Sequence, residues 1–70
     1  FSHLFKAMTG LTPLAYLNRV RIENAKELLL KTSLSIAEIA EMVGFSGQNY
    51  FGRLFRRQVG LSPTEFARTR

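Results

Sequence analysis

The chain has 70 residues, enough for one small domain whose core is expected to be only marginally stable. It contains no cysteine and one histidine, which excludes disulfide bridges, cysteine nucleophiles and metal sites built from several cysteines or histidines. Ten lysines and arginines against five glutamates give a net charge of +5, which favours an anionic partner, and no apolar run approaches the ~20 residues of a membrane span.

The acidic residues are unevenly distributed along the chain. No glutamate precedes Glu23, and none lies between Glu41 and Glu65. These two acid-free segments carry six basic residues, which are Lys6, Arg19, Arg21, Arg53, Arg56 and Arg57. A short chain can show such a pattern by chance, but the distribution also fits an anion that faces these segments.

An internal repeat relates the start of the chain to its end at an offset of fifty positions. Six of thirteen aligned positions are identical, namely Phe1/Phe51, Leu4/Leu54, Phe5/Phe55, Gly10/Gly60, Leu11/Leu61 and Pro13/Pro63. The repeat includes both the glycine that ends a helix and the proline that begins the next one. We therefore expect the fold to contain one helical unit twice.

The first predicted element is a helix that ends at Gly10. The sequence opens inside the helical pattern, so we expect residues 1–10 to be the remnant of a helix that begins earlier. The apolar face of this helix is formed by Phe1, Leu4, Phe5 and Met8, and the outward face by Ser2, His3 and Lys6.

A long helix is predicted over residues 13–31. Thr12 and Pro13 are typical of an N-cap and a first helical position. The apolar stripe of this helix is predicted to comprise Leu14, Leu17, Ala25, Leu28 and Leu29. Arg21 interrupts the stripe, and an unpaired charge there would be costly, so we expect it to extend to solvent or to bond backbone carbonyls rather than to contact the anionic partner.

A helix-turn-helix unit is predicted over residues 35–60. Ser35 and Glu38 match a capping box, and Gly44 ends the short helix that they begin. The small Ala40 allows two helices to cross closely, and the turn 45–47 leads into a second helix. A last helix over residues 62–70 repeats the hydroxyl-proline cap with Ser62 and Pro63. No segment alternates with a period of two, so an all-α fold is predicted.

The second helix of this unit has two chemically different faces. One face carries Phe51, Leu54, Phe55 and Gln58, and the opposite face carries Asn49, Gly52, Arg53 and Arg56. Arginine can bond guanine, and asparagine adenine, in bidentate fashion, whereas Arg56 and Arg57 are better placed for phosphates. A solvated surface charge is the alternative for each arginine, but the same division in both copies favours nucleic-acid contact. We expect the phenylalanines to be core residues.

Two stretches carry a resemblance to a known family: the residues from R-I-E-N-A-K-E-L-L-L-K to G-F-S, and the segment Y-F-G-R-L-F-R-R-Q-V-G-L-S-P-T-E-F. Both closely resemble the C-terminal domain of AraC/XylS transcription regulators. The resemblance covers essentially all seventy residues. It implies a helix-turn-helix bundle in which two tandem units, joined by a long helix, each place a recognition helix in a major groove. The first unit would be incomplete, because the chain begins inside its recognition helix.

The resemblance also implies which residues contact DNA. The base contacts carried over are Gln48, Asn49, Gly52, Arg53, Ser2 and His3, and the phosphate contacts are Arg56, Arg57 and Lys6. A side chain more often stands at the position of Gly52, so base readout there is expected to be weak. No cofactor and no metal are expected.

The partner that follows is double-stranded DNA with an asymmetric site. RNA polymerase is a second candidate partner, and an effector ligand would act only through a domain outside this sequence. A cytoplasmic, nucleoid-associated protein is expected, with no membrane contact. The competing hypothesis is a helical protein-interaction module. An enzyme is not expected, since no paired carboxylates accompany the single histidine.

Overall fold

The computed structural model describes residues 10–69, which form four α-helices. Their bounds are α1 Pro13–Lys31, α2 Ile36–Met42, α3 Gln48–Val59 and α4 Pro63–Ala67. The described residues contain no strand, in agreement with the all-α prediction. The long helix α1 packs against each of the other three helices, and α3 packs against α2 and α4.

Three of the four helices, α1, α2 and α4, begin at the hydroxyl caps that the sequence predicted. The Thr12 and Ser62 backbones share φ −69° and ψ 159°, and both are followed by proline in the first turn. The Thr12 hydroxyl accepts from the Ala15 amide at 3.1 Å. Ser35 and Ser62 begin full capping boxes with Glu38 and Glu65. Ser35 has nearly the same backbone angles, φ −68° and ψ 158°, so the three hydroxyl caps share one local geometry.

The core is a single cluster in which aromatic rings of the second half meet aliphatic residues of α1 and α2. Its buried members are Ile22, Ala25, Leu29, Ile39, Ala40, Phe45, Phe51 and Phe55. Ring centroids of successive phenylalanines lie 5.4 Å (Phe45–Phe51), 5.7 Å (Phe51–Phe55) and 5.5 Å (Phe55–Phe66) apart. Such tilted and edge-to-face pairs are favourable beyond the area that they bury. This row of rings joins the turn, α3 and α4 into one packed unit.

The predicted apolar stripe of α1 is wrong in its first half. Leu14 is 63% exposed and Leu17 43% exposed, whereas Ile22, which the stripe omitted, is fully buried. The buried stripe follows Ile22, Ala25 and Leu29, at i, i+3 and i+7. Apolar residues occur on several sides of this helix, so periodicity alone does not select the side that α2, α3 and α4 cover.

Arg21 lies at the junction of α1 with the helix-turn-helix turn. Its side chain is half-buried, its Nη1 donates to the Asn18 Oδ1 at 3.5 Å, and its Cζ lies 5.8 Å from the Phe45 ring centroid. A structural role was predicted for Arg21, with bonds to backbone carbonyls or an extension to solvent. The contacts in the structure are instead with a side-chain amide and with an aromatic ring, the latter a cation–π arrangement.

Gly44 is required at the end of α2 for two reasons. Its φ of +107° is rarely adopted by residues with a side chain, and a Cβ there would lie 2.9 Å from the Arg21 Nε. Gly60 at the end of α3 has a similar φ of +95° but no atom within 4 Å of such a Cβ. Substitution of Gly60 therefore tests the cost of the backbone conformation alone, whereas substitution of Gly44 tests that cost together with the contact with Arg21.

We expect Gly44→Ala to lower the free energy of unfolding more than Gly60→Ala. Gly60→Ala should cost about 1–2 kcal/mol, the usual penalty for a left-handed backbone, and Gly44→Ala should add the cost of displacing the guanidinium. Chemical denaturation followed by circular dichroism measures both. Equal losses in the two variants would contradict the tight contact with Arg21.

The capping box of α4 gives the stability a pH dependence. The Ser62 amide donates to the Glu65 Oε1 at 2.9 Å. This bond, a bond with the Ser62 hydroxyl, and the charges of Arg56 and Arg68 lower the pKa of Glu65 from its ordinary 4.5. Because the unfolded chain then binds the proton more readily, the contribution is present above pH 4.5 and is lost as the pH falls below it.

We expect Glu65→Gln to lower the melting temperature at pH 7 and to have a smaller effect near pH 3, where a larger fraction of the wild-type carboxyl is protonated. Thermal unfolding of both proteins at the two pH values provides the comparison. A difference in melting temperature that stays constant between the two pH values would show that the charged cap contributes nothing.

Candidate nucleic-acid interface

Helix α3 separates a buried aromatic face from an exposed polar face. Phe51 and Phe55 are fully buried, and Leu54 and Val59 are half-buried on the same side. This side packs on α1, α2 and α4 and holds the helix in one orientation. Gln58, which was assigned to this face, is exposed, but its Nε2 donates to the Arg19 carbonyl of α1 at 3.4 Å.

Asn49, Arg53, Arg56 and Arg57 lie together on the free side of α3, whereas Gln48, one turn before Phe51, is exposed as the first residue of the helix. Gln48, Asn49, Arg53, Arg56 and Arg57 are exposed. Gly52 is half-buried, and a Cβ built there would meet nothing within 4 Å. The helix therefore presents two amides near its start and three guanidiniums further along. Ser2, His3 and Lys6, the counterparts in the first copy, lie outside the described residues.

The electrostatics of α3 favour an anion. The helix carries three arginines and no acidic residue. Within residues 10–69, the ion pairs join Lys26 to Glu23 at 3.4 Å and Lys31 to Glu27 at 4.0 Å, both on α1. The arginines of α3 are therefore not held in ion pairs with described carboxylates, although the charge of Arg56 does act on the nearby Glu65.

The turn before α3 is anchored to α2 and to the core, and the residues that begin α3 are exposed. The Phe45 amide donates to the Ala40 carbonyl at 2.9 Å, and the Phe45 ring is buried, so the turn is pinned to α2 and the core. Gly47 is the N-cap of α3 and supplies no side-chain cap. Amide groups at the first turn of such a helix favour nearby negative charge. The start of α3 is thus suited to lie close to a phosphate backbone.

Tyr50 belongs to this surface, and sequence reasoning missed it. It is 44% exposed, and with Arg53, Leu54 and Arg57 it lines a shallow groove of about 370 Å³ along α3. Tyr50, Arg53 and Arg57 stand at i, i+3 and i+7, so they share one side of the helix. This spacing was present in the sequence, but the tyrosine was not separated from the neighbouring aromatic residues.

The described residues offer little for other chemistries. Across residues 10–69, no three histidine, aspartate, glutamate or cysteine side chains come together as metal ligands. In the same part of the chain, none of the helices has the length and apolar content to cross a membrane. The exposed face of α3 is the feature of the described surface in which amide and guanidinium groups converge.

The family model of a helix-turn-helix domain matches residues 1–69. A curated relative is the HTH-type transcriptional activator RhaS of Escherichia coli, 45% identical over 65 residues. That match covers 93% of this chain and 23% of RhaS, so the chain spans about a quarter of the length of this relative.

Two solved structures share the fold. One is the DNA-binding domain of the global transcriptional factor AdpA in complex with a target DNA, with a TM-score of 0.92 and 32% identity over 97% of this chain and 61% of that one. The other is a transcriptional regulator of Chromobacterium violaceum, described as containing an AraC-type DNA-binding domain. It has a TM-score of 0.90 and 33% identity over 94% of this chain and 59% of that one.

The family is one of DNA-binding domains and not of enzymes. The resemblance seen in the sequence, the helix-turn-helix geometry of α2 and α3 and these comparisons agree. The chain belongs to the helix-turn-helix domain family, among the DNA-binding domains of AraC/XylS transcription regulators.

Proposed function

We propose that α3 enters a major groove of double-stranded DNA and reads bases with its exposed face. The observation that carries the proposal is the division of α3 into a fully buried aromatic side and an exposed side of amides and guanidiniums that lacks carboxylates. A major groove admits one α-helix, and its base edges offer the acceptors that arginine and asparagine bond.

The residues near the start of α3 are assigned to base edges. Gln48, Asn49 and Arg53 can reach bases by bidentate bonds, and Gly52 lets the helix backbone approach closely. Arg56 and Arg57, in the last turn of α3, are assigned to phosphates, which fix the position of the protein without reading sequence. Tyr50 is added as a phosphate ligand, because its exposed ring lies beside Arg53 and Arg57.

The first copy of the repeat is assigned the same chemistry. Ser2 and His3 would contact bases and Lys6 a phosphate, in a groove about one helical turn, or ~34 Å, from the one that α3 occupies. Because the two copies follow one another along the chain rather than a two-fold axis, the bound site is asymmetric. The support is the sequence repeat, in which each copy continues into a hydroxyl residue and a proline, at Thr12–Pro13 and Ser62–Pro63.

The regulatory setting is also a proposal. The similarity to RhaS, which is named as a transcriptional activator, supports a role in activation. Contact with RNA polymerase and a location at the nucleoid extend this proposal. An effector ligand would act through another domain of a longer protein. The exposed apolar side chains of α1, Leu14 above all, favour a protein-interaction module as a second function of the same chain.

Substituting the arginines of α3 one at a time separates base readout from phosphate contact. Arg53→Ala is expected to cost about 1–3 kcal/mol on the preferred site and to relax base preference there. Arg56→Ala is expected to weaken binding to all DNA sequences alike. It should also reduce the slope of log affinity against log salt concentration by about one. Fluorescence anisotropy with a duplex selected from random DNA and with a scrambled duplex measures both.

Lys31→Ala is the matched control for the arginine variants. It removes one positive charge from the exposed end of α1, where Lys31 lies 4.0 Å from Glu27. It should change binding to either duplex far less than Arg56→Ala does. If Arg53→Ala and Arg56→Ala reduced binding to the selected and scrambled duplexes equally, the assignment of Arg53 to bases would be wrong.

Gly52→Ala is expected to change stability and DNA binding in opposite directions. Glycine inside a helix is about 0.5–1 kcal/mol less favourable than alanine, and the added methyl group would meet no protein atom within 4 Å, so the free energy of unfolding should rise. Where the backbone approaches DNA closely, the methyl group should weaken binding to the selected duplex. Unchanged or tighter binding would place Gly52 away from the groove.

A further inference from the structure

Arg21 reaches from α1 to the turn between α2 and α3, where it lies beside Gly44 and Phe45. Its Cζ lies 5.8 Å from the Phe45 ring centroid, and its Nη1 donates to the Asn18 Oδ1 at 3.5 Å. Its Nε would lie 2.9 Å from a Cβ placed on Gly44. The guanidinium therefore fills the space that the absent side chain of Gly44 leaves, while Asn18 holds it from the preceding turn of α1.

Phe45 connects Arg21 to the first residues of α3 through ring contacts. Its ring lies 5.9 Å from the Tyr50 ring in an edge-to-face pair and 5.4 Å from the Phe51 ring. Gly47 provides no side-chain cap for α3, so these ring contacts add to the burial of Phe51 in holding the first turn of this helix. Gln48 and Asn49 project from that turn, and both are exposed.

We propose that Arg21 is a positioning residue for base readout, which acts through Phe45 and the turn rather than by touching DNA. The inference rests on the proposed role of α3. The planar guanidinium can stack on the ring and donate to Asn18 at once, which a lysine ammonium cannot reproduce. Loss of this contact lets the turn and the first residues of α3 adopt several orientations, so selective binding falls while attraction to the phosphate backbone is retained.

The alternative role for a half-buried arginine in a DNA-binding domain is a direct phosphate contact. The two roles give opposite results for a conservative change. A phosphate contact tolerates lysine, because an ammonium also binds phosphate, whereas a stacked guanidinium does not. Arg21→Lys and Arg21→Met in the full chain therefore discriminate between the roles.

The test measures affinities of the wild type and both variants for the selected duplex and a scrambled duplex, each at several salt concentrations. We expect both variants to lose roughly 2- to 30-fold in affinity for the selected duplex, the range of a cation–π contact, with less than about 2-fold change for the scrambled one. The salt slope should stay unchanged. Wild-type affinity of Arg21→Lys, or a flatter salt slope of Arg21→Met on both duplexes, would overturn the proposal.

Asn18→Ala keeps the proposal testable if either substitution of Arg21 prevents folding. Asn18 is half-buried on α1, and its loss removes one partner of the guanidinium while the Phe45 contact stays. It should reduce affinity for the selected duplex in the same direction as Arg21→Lys but less, and an unchanged ratio of selected to scrambled affinity would contradict the proposal. Arg53→Ala is measured alongside, because its failure to reduce selectivity would reject the role of α3, whereas failure of the Arg21 variants alone would reject only this inference.

Discussion

The burial of Phe51 and Phe55 is the constraint on which the rest of the structure depends. Both rings are fully buried in one cluster with Ile22, Ala25 and Leu29 of α1. Burial of a large aromatic side chain contributes a few kcal/mol, which is a large share of the stability of a domain this small. Because these two residues occupy one side of α3, the side that carries Asn49 and Arg53 is left to solvent. The packing of the core thus determines which residues can contact DNA.

The turn between α2 and α3 sets the direction in which α3 begins. Gly44 takes a backbone conformation that residues with side chains rarely adopt, and Phe45 returns the chain to the core. Arg21 on α1 lies against both, so three elements meet where α3 begins. A recognition helix needs a defined orientation, because bidentate bonds to base edges depend on the placement of the side chains. Helix α1 therefore contacts the turn from which α3 begins.

The sequence predicted the helix starts well and the buried side of α1 poorly. The caps at Thr12, Ser35 and Ser62 are local signals, set by a hydroxyl, a proline or a glutamate within four positions, so tertiary packing does not alter them. The side of α1 that is covered depends on where other helices lie, and Leu14 and Leu17 fit the helical period although they are exposed. The same reason explains why the contact of Arg21 with Phe45, 24 positions away, could not be predicted from spacing.

The candidate site was predictable in outline because the sequence of α3 alone places apolar and polar residues on different sides of the helix. Four apolar positions and the polar ones separate at 100° per residue without knowledge of any partner helix. Tyr50 was missed because an aromatic residue beside Phe51 fits a core prediction equally well, and only its exposure of 44% assigns it to the surface.

Interference with binding by methylation of guanine N7, which lies in the major groove, tests the central claim most directly. A duplex selected by the full chain is methylated sparingly, and bound and free fractions are compared. We predict that methylation of at least one guanine in the major-groove segment that α3 occupies blocks binding of the wild type and no longer matters for Arg53→Ala. If methylation at no guanine N7 impaired binding while methylation of adenine N3 in the minor groove did, α3 would not be the reader of the major groove.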